Sequence, residues 1–380
     1  MNLNRRKVAF VTNIIPHYRK SFYEKLCSCR DFEWTVVRGE KNVDDGRPDY
    51  KGHIDIPQTF VVNKDTALGP YTLRTQSSLL SQLRKISPDI LIVLGIPGNF
   101  STWIALVWAK LKGVKVVMWT CGWEPQADRS YALAVKNLLA KFFFSFPDRF
   151  FTYSTNARKY LIDLGVDADK ITVCYNGIET DDLIRREEEI TFKGLELRKN
   201  QGAENSFILL YVGGMTLEKR VDLLLDAFAE LSKSNPDVHL WLVGDGPARA
   251  QFERQALELG LDKAKFWGQI VEDVDQFFSA ADFFVLPGVG GLAFNQSMIW
   301  KTPCIATSAD GTEDDLVIDG ITGKRFEAGS LASISAAIKS CIHLDPFEKE
   351  KWGKNCRDLI VNRSNVNIMV QTFLETLKKL

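Results

Sequence analysis

Short apolar runs separated by amphipathic stretches recur along the whole chain. KVAFVTN at 7–13 is a compact β-branched and aromatic run, the pattern of a parallel strand buried on both faces. EWTVVR at 33–38, DILIVL at 89–94 and the runs at 114–119, 150–153 and 171–175 repeat it, and β structure is also expected at 54–62. Residues 21–27, 71–86, 103–111, 131–146 and 156–164 are expected to be helices. The 71–86 helix rests on Leu73, Leu79, Leu80 and Leu83, and the 156–164 helix is capped by Gly165. A polar stretch follows at 181–206, dense in Glu, Arg and Lys with Gly194 and Gly202, and reads as a linker plus a surface helix.

The pattern then restarts. Strands at 207–212, 239–243, 265–267, 283–286 and 303–307 alternate with helices at 221–231, 249–259 and 274–280 and one starting near Phe294. Residues 330–343, 346–360 and 365–380 read as terminal helices. Such alternation predicts parallel sheets covered on both faces. The expected architecture is therefore two doubly wound, Rossmann-like α/β domains facing across a cleft. Their bounds are 1–180 and 207–360, joined by 181–206, with 361–380 a terminal helix able to pack back on the first domain. In such sheets ligands sit beyond the carboxyl ends of the strands.

Composition narrows the function more by exclusion than by indication. The 380 residues are 45% hydrophobic and 25% charged, ordinary for a soluble globular chain. Lys+Arg and Asp+Glu both number 48, so no basic excess supports nucleic-acid binding. The seven cysteines are scattered without a C-x-x-C, and none of the four histidines is paired at helical spacing. These features point to a reduced, metal-free cytoplasmic protein. The first apolar run is too short for a signal sequence, and no stretch of about 18 apolar residues could span a bilayer.

Three loops of the second half fall at strand carboxyl ends: 213–219, 244–247 and 288–292. Gly288, Gly290 and Gly291 allow backbone to approach a ligand, and the helix near Phe294 would aim unpaired N–H groups into the last loop. A phosphate suits such a place, although an ordinary strand–loop–helix crossover uses glycines too. Lys219 alone reads as a solvated surface lysine; the three loops together make it a cation for a diphosphate. No G-x-x-x-x-G-K-[ST] string occurs, and no G-x-G-x-x-G follows the first strand, which argues against Walker-type ATPases and nicotinamide-dinucleotide enzymes.

YVGGMTLEKRVDLLLDAF, LWLVGDGPARAQFE, FWGQI, SAADFFVLPG and VIDGITGKRF, in this order, resemble the carboxyl-terminal domain of family-four, retaining glycosyltransferases of the GT-B fold. YNGIE at 175–179 is similar to a signature that precedes that family's second domain, and IIPHYRKSFYEKL resembles the first loop and helix of its bacterial members. The resemblance runs from about residue 8 to 330. It implies a nucleotide-sugar donor, UDP- or GDP-linked, held by Gly213, Gly214, Lys219, Gly244, Asp245, Gln269, Ile270, Gly288, Gly290, Gly291, Leu292, Ala293 and Gln296. The base contacts would come largely from backbone around 268–270.

The departures are specific. Two family glutamates that flank seven residues fall on Gly288 and Gln296, and the family's phosphate-binding arginine falls on Gly214. Gln296 could still bond a ribose hydroxyl, whereas Gly288 offers only backbone. Arg220, beside Lys219 at a helix start, would point elsewhere. GVGGLAFN resembles a bacterial branch without the first glutamate. In WTCGWEPQ at 119–126, Cys121 stands where relatives often carry histidine, and reads as a cleft-wall residue or a catalytic one. Glu124 could face the acceptor hydroxyl or merely cap the chain. Pro16, His17, Arg19 and Trp123 complete the expected acceptor side.

The resemblance thus implies sugar transfer to a glycan or polyprenyl-linked acceptor with retention, without metal or other cofactor, in bacterial surface polysaccharide assembly. A binding-only member, supported by the missing glutamates, and an epimerase on the same scaffold are the alternatives. Helix 131–146 carries Lys136 and Lys141 beside Phe142, Phe143, Phe144 and Phe146. It reads as core, or as a basic, aromatic surface for peripheral contact with the inner face of a membrane.

Overall fold

The computed structural model describes residues 5–40, 50, 52–68, 71–122, 131–309 and 311–380. The chain forms two compact units. One runs to Tyr175 and includes Val366–Leu380; the other is Asn176–Asn365.

The first unit contains β1 (Arg6–Thr12), α1 (Lys20–Cys27), β2 (Phe32–Gly39), β3 (Gln58–Leu68), β4 (Tyr71–Ser77), α2 (Leu79–Ile86), β5 (Ile90–Leu94) and α3 (Phe100–Lys112). It continues through β6 (Lys115–Thr120), α4 (Tyr131–Phe143), β7 (Arg149–Thr152), α5 (Thr155–Asp163) and β8 (Ile171–Val173). The sheet order is β4-β3-β2-β1-β5-β6-β7-β8. Successive residues of β1 feed different cores: Val8 and Phe10 pack on one face, Ala9 and Val11 on the other. That two-sided burial explains its unbroken apolar run. On the first face, helix Val366–Lys378 inserts Phe373 among Phe10, Phe22, Trp119 and Phe151, with its ring 3.9 Å from that of Phe151.

One local expectation fails here. Residues 71–86 are not one helix: 71–77 form β4, antiparallel to β3, and only Leu79–Ile86 is helical. Thr72 and Thr75 are β-branched, and an ion pair between Arg74 and Asp65 at 2.6 Å joins the two strands. The remaining pairings of this sheet are parallel.

The second unit begins with α6 (Asp181–Arg185) and α7 (Glu187–Asn200), followed by β9 (Phe207–Val212), α8 (Val221–Ser232), β10 (Val238–Val243), α9 (Arg249–Glu258), β11 (Ala264–Gly268) and α10 (Asp275–Ala280). Then come β12 (Phe283–Leu286), α11 (Ala293–Ile299), β13 (Cys304–Ala306), α12 (Thr312–Leu316), β14 (Gly323–Arg325), α13 (Leu331–Ile342) and α14 (Pro346–Arg363). The returning helix Val366–Lys378 is α15. All pairings in the sheet β11-β10-β9-β12-β13-β14 are parallel.

Residues 181–206 hold α6 and α7 and the turn into β9. Ile190 on α7 is buried, and a Cβ on Gly194 would lie 3.1 Å from the Ala280 nitrogen, so the helix packs closely against α10. Arg198 donates to the Ala280 carbonyl at 2.7 Å and to the Asp282 carboxylate at 2.5 Å. A charged helix reads as linker by composition, yet two buried residues, Ile190 and Gly194, with the bonds of Arg198 suffice to dock it.

Candidate functional site

In the second unit β9 is flanked by β10 on one side and β12 on the other, so successive connections run in opposite directions from it. The carboxyl ends of β9 and β12 therefore frame the crevice where doubly wound sheets take ligands. The loops leaving β9, β10 and β12 are sewn together there by backbone. Gly213 N donates to Val243 O at 3.0 Å, Met215 N to Asp245 O at 2.9 Å, and Val289 N to Glu218 O at 3.3 Å.

Two glycines are required by this close approach. At Gly244, φ is 137°, and a Cβ would lie 1.9 Å from the Gly213 carbonyl oxygen. At Gly288 a Cβ would lie 2.1 Å from Glu218 O and 2.8 Å from the Lys219 Cα. A glutamate therefore does not fit at Gly288 with the 217–219 turn in this place. Gly214 differs: it is exposed, and its Cβ would meet only Asp245 O, at 4.0 Å. The Tyr211 hydroxyl donates to Gly214 O at 2.9 Å, and burial raises its pKa, so it remains a donor at neutral pH.

Lys219 ends a single turn of 3-10 helix, Leu217–Lys219. Its ammonium donates to Val289 O at 2.6 Å and Gly290 O at 2.8 Å. In a planar trans peptide the N–H lies opposite the carbonyl. The N–H groups of Gly290 and Gly291 therefore point away from the ammonium. Lys219 thus orients the loop as well as bringing charge to it. Arg220 adopts φ 53° and turns its guanidinium to Asp222 at 3.1 Å, away from that loop.

The remaining donor-side residues separate. Leu292 and Ala293 open α11, which has only seven residues. Asp245 is exposed; it accepts from Gly246 N at 2.7 Å and faces Arg249 at 3.4 Å. Gln269 is exposed beyond β11, while Ile270 packs partly against the core. Gln296, expected to meet a ribose, spends its side chain on Asp275, which also accepts from Trp300 Nε1 at 2.7 Å. Burial raises the Asp275 carboxyl pKa despite these two bonds. The unforeseen neighbour is Asn295. Buried, it donates to Asn176 O at 3.0 Å and Ser364 O at 3.3 Å. Its position beside Gln296 on the helix was the available signal.

The acceptor-side expectations fare less evenly. Pro16 is buried and opens the turn His17–Arg19, and His17 is exposed with its ring 5.4 Å from that of Tyr18. Arg19 is buried, with its guanidinium 4.9 Å from the Trp119 ring and Nη1 donating to Met369 Sδ at 3.3 Å. Its stem and planar head fill the aromatic layer beneath α15. Cys121 is exposed just past β6, its thiol 3.6 Å from Gly122 O. Trp123 and Glu124 lie outside the described residues.

What sequence reasoning missed in this unit is a buried amide cluster at the carboxyl end of β1. Asn99 Nδ2 donates to Asn13 Oδ1 at 3.1 Å, Asn63 Nδ2 to Asn13 O at 2.8 Å, and Gln76 Nε2 to Asn63 Oδ1 at 3.1 Å and Thr12 O at 3.2 Å. Gly39 leaves room for it, since a Cβ there would lie 2.0 Å from Asn63 Nδ2.

Two Rossmann-like units with parallel sheets, and a glycine-lined crevice in the second, define the GT-B class of glycosyltransferase folds. Solved structures agree over nearly the whole chain. Anabaena HepE in complex with UDP superposes with a TM-score of 0.76 at 18% identity, covering 99% of this chain and 100% of that one. Sucrose-phosphate synthase from Thermosynechococcus elongatus does so with a TM-score of 0.73 at 18% identity, covering 99% of each. Residues 30–182 match the family described as Glycosyltransferase Family 4, and residues 194–359 match the family described as Glycosyl transferases group 1.

Among curated relatives, alpha-D-kanosaminyltransferase of Streptomyces kanamyceticus is 28% identical over 169 residues, 43% of each chain. Lipopolysaccharide 1,2-N-acetylglucosaminetransferase of Salmonella typhimurium is 27% identical over 189 residues, 46% of this chain and 49% of the relative. The chain spans about half the length of the curated relatives it matches. Among the described residues, no helix is long and apolar enough to cross a membrane.

Proposed function

We propose that this chain is a glycosyltransferase that moves a sugar from a nucleoside diphosphate donor to a hydroxyl of a glycan or lipid-linked acceptor. The observation that carries this reading is the Lys219-held loop: an ammonium on the Val289 and Gly290 carbonyls beside two outward N–H groups at the crevice of the sheet. A leaving diphosphate develops negative charge in the transition state, and preoriented N–H dipoles with a nearby cation lower its energy. The bond from the anomeric carbon to the diphosphate oxygen breaks, and the acceptor oxygen bonds to that carbon. Its proton passes to a phosphate oxygen of the departing nucleotide.

Gly288 supplies no carboxylate, so a covalent glycosyl–enzyme step has no nucleophile there. Same-face attack assisted by the leaving phosphate, with retention, is the mechanism in keeping with that. Charge neutralisation by Lys219 and backbone makes a metal unnecessary. Relatives in lipopolysaccharide and glycolipid synthesis support a surface-glycan acceptor. The HepE complexes with UDP and with UDP-glucose support a uridine donor.

The engaged Gln296 and the missing carboxylate at Gly288 favour one second reading, a protein that binds nucleotide sugar without transferring it. Thermal unfolding with UDP, GDP, ADP and dTDP, followed by donor hydrolysis with the best binder, separates the two. At about a hundredfold excess over Kd a bound nucleotide adds about 2.7 kcal/mol of stability. A selective shift with slow hydrolysis is expected; a shift without turnover on any acceptor supports the binding-only reading, and no shift removes the donor site.

A further inference from the structure

Among the described residues, the first unit carries an exposed apolar face. On α3, Phe100, Ile104, Val107 and Leu111 are exposed, Leu111 by 81%. They recur at three- and four-residue spacing, so they form one stripe along the helix. On α4, Leu138, Leu139 and Phe142 are exposed as well. The Trp103 and Phe142 rings stack at 6.1 Å and 25°, which joins the two helices into one surface. A groove of about 340 Å³, lined by Trp103, Ile104, Val107, Trp108 and Leu111, runs along it. The expectation from sequence had centred on four phenylalanines of 131–146. Phe143 and Phe144 are in fact core, and the larger exposed share belongs to α3.

Charge identifies the occupant. Neither FSTWIALVWAKLK nor YALAVKNLLAKFF contains a single Asp or Glu, while Lys110, Lys112 and Lys141 are exposed on these two helices. An isologous contact with a second copy of the chain would set lysines against lysines. An anionic lipid surface meets both demands: headgroups neutralise the lysines, and the acyl boundary takes up the apolar stripe, with tryptophan at the level between them.

We propose that the α3–α4 face seats the protein on an anionic phospholipid surface as a peripheral, non-spanning contact. The inference goes beyond the proposed transfer reaction and does not depend on it. The test is flotation of the full chain with vesicles of phosphatidylcholine alone or mixed with phosphatidylglycerol. The native chain should float only with the mixed vesicles, and salt should release it. A Val107→Asp/Leu111→Asp variant, altered only at exposed positions, should lose flotation while keeping its unfolding midpoint. Lys110→Ser/Lys112→Ser should weaken partitioning by about tenfold or more. Leu257→Asp, at an equally exposed leucine of the second unit, should float as the native chain does. No flotation with mixed vesicles, equal flotation with phosphatidylcholine alone, or an Asp variant that floats normally would each overturn the proposal. A dimer in sedimentation that the Asp variant dissolves, without vesicle binding, would assign the face to a second copy instead.

Discussion

The two units end their strands in opposite ways. In the second, the loops beyond β9, β10 and β12 are shaped by backbone: glycines let main chain lie against main chain, and the Lys219 ammonium bonds to carbonyls. In the first, the space beyond β1 is filled by side chains, with Asn13, Asn63, Gln76 and Asn99 bonded to one another and buried. Backbone sites tolerate change at every position that has room and fail abruptly where they do not. Amide networks lose stability gradually, one partner at a time.

The sharpest break in that comparison is expected between two glycines of the same site. Gly288→Ala forces a Cβ against the Glu218–Lys219 backbone and should cost about 3 kcal/mol, read from denaturant unfolding. Gly214→Ala, with open space around it, should stay within about 0.5 kcal/mol. Equal effects would mean that the 217–219 turn yields easily and that Gly288 is not a packing requirement.

A smaller loss is expected in the first unit. Asn63→Ala removes a donor from the Asn13 carbonyl and an acceptor from Gln76, both buried, at about 2 kcal/mol. Nucleotide-induced stabilisation should survive this change, because the cluster lies in the first unit; its loss alongside stability would blur the distinction drawn above.

The smallest effect concerns pH. Burial would raise the Glu187 carboxyl, but hydrogen bonds from Arg357 at 2.6 Å and Lys301 at 3.1 Å outweigh it and hold its pKa below the ordinary value. Folding then favours the charged form. Its contribution is complete above the unfolded pKa of about 4.3 and fades as pH falls through the lower folded value. In Glu187→Gln the acid limb of the stability profile should flatten, by under about 1 kcal/mol for so accessible a group. An unchanged acid limb would show that this ion pair does not couple α7 to α14.

The fold was legible because both sheets, apart from the antiparallel β3–β4 edge, are parallel and buried on two faces, so strands such as KVAFVTN and FILLYV announce themselves. The edge hairpin was not: Leu73 and Leu79 mimic a helical stripe, and only the pairing with β3 decides for a strand. At the site, the glycine loops and Lys219 could be read from spacing. The role of Gly288 could not, since it depends on a turn seventy residues earlier in the chain. Arg19 was expected on the acceptor side from its loop position; three aromatic rings around its guanidinium were invisible in one dimension. Asn13 and Asn63 drew no expectation from sequence, because an amide's partners are set by tertiary contact alone.

The amide of Asn295 gathers the two places where the chain passes between units, bonding Asn176 and Ser364, and Ile178 bridges to Asn365 beside it. The second unit is therefore an insertion with its ends pinned together, and this imposes an order on biosynthesis. The ribosome must deliver the whole insertion before it delivers α15. Until then the first-made unit waits with the place of Phe373 open among Phe10, Phe22, Trp119 and Phe151. The amino-terminal half begins first and matures last, so its unfilled aromatic pocket is the surface that a nascent-chain chaperone would meet.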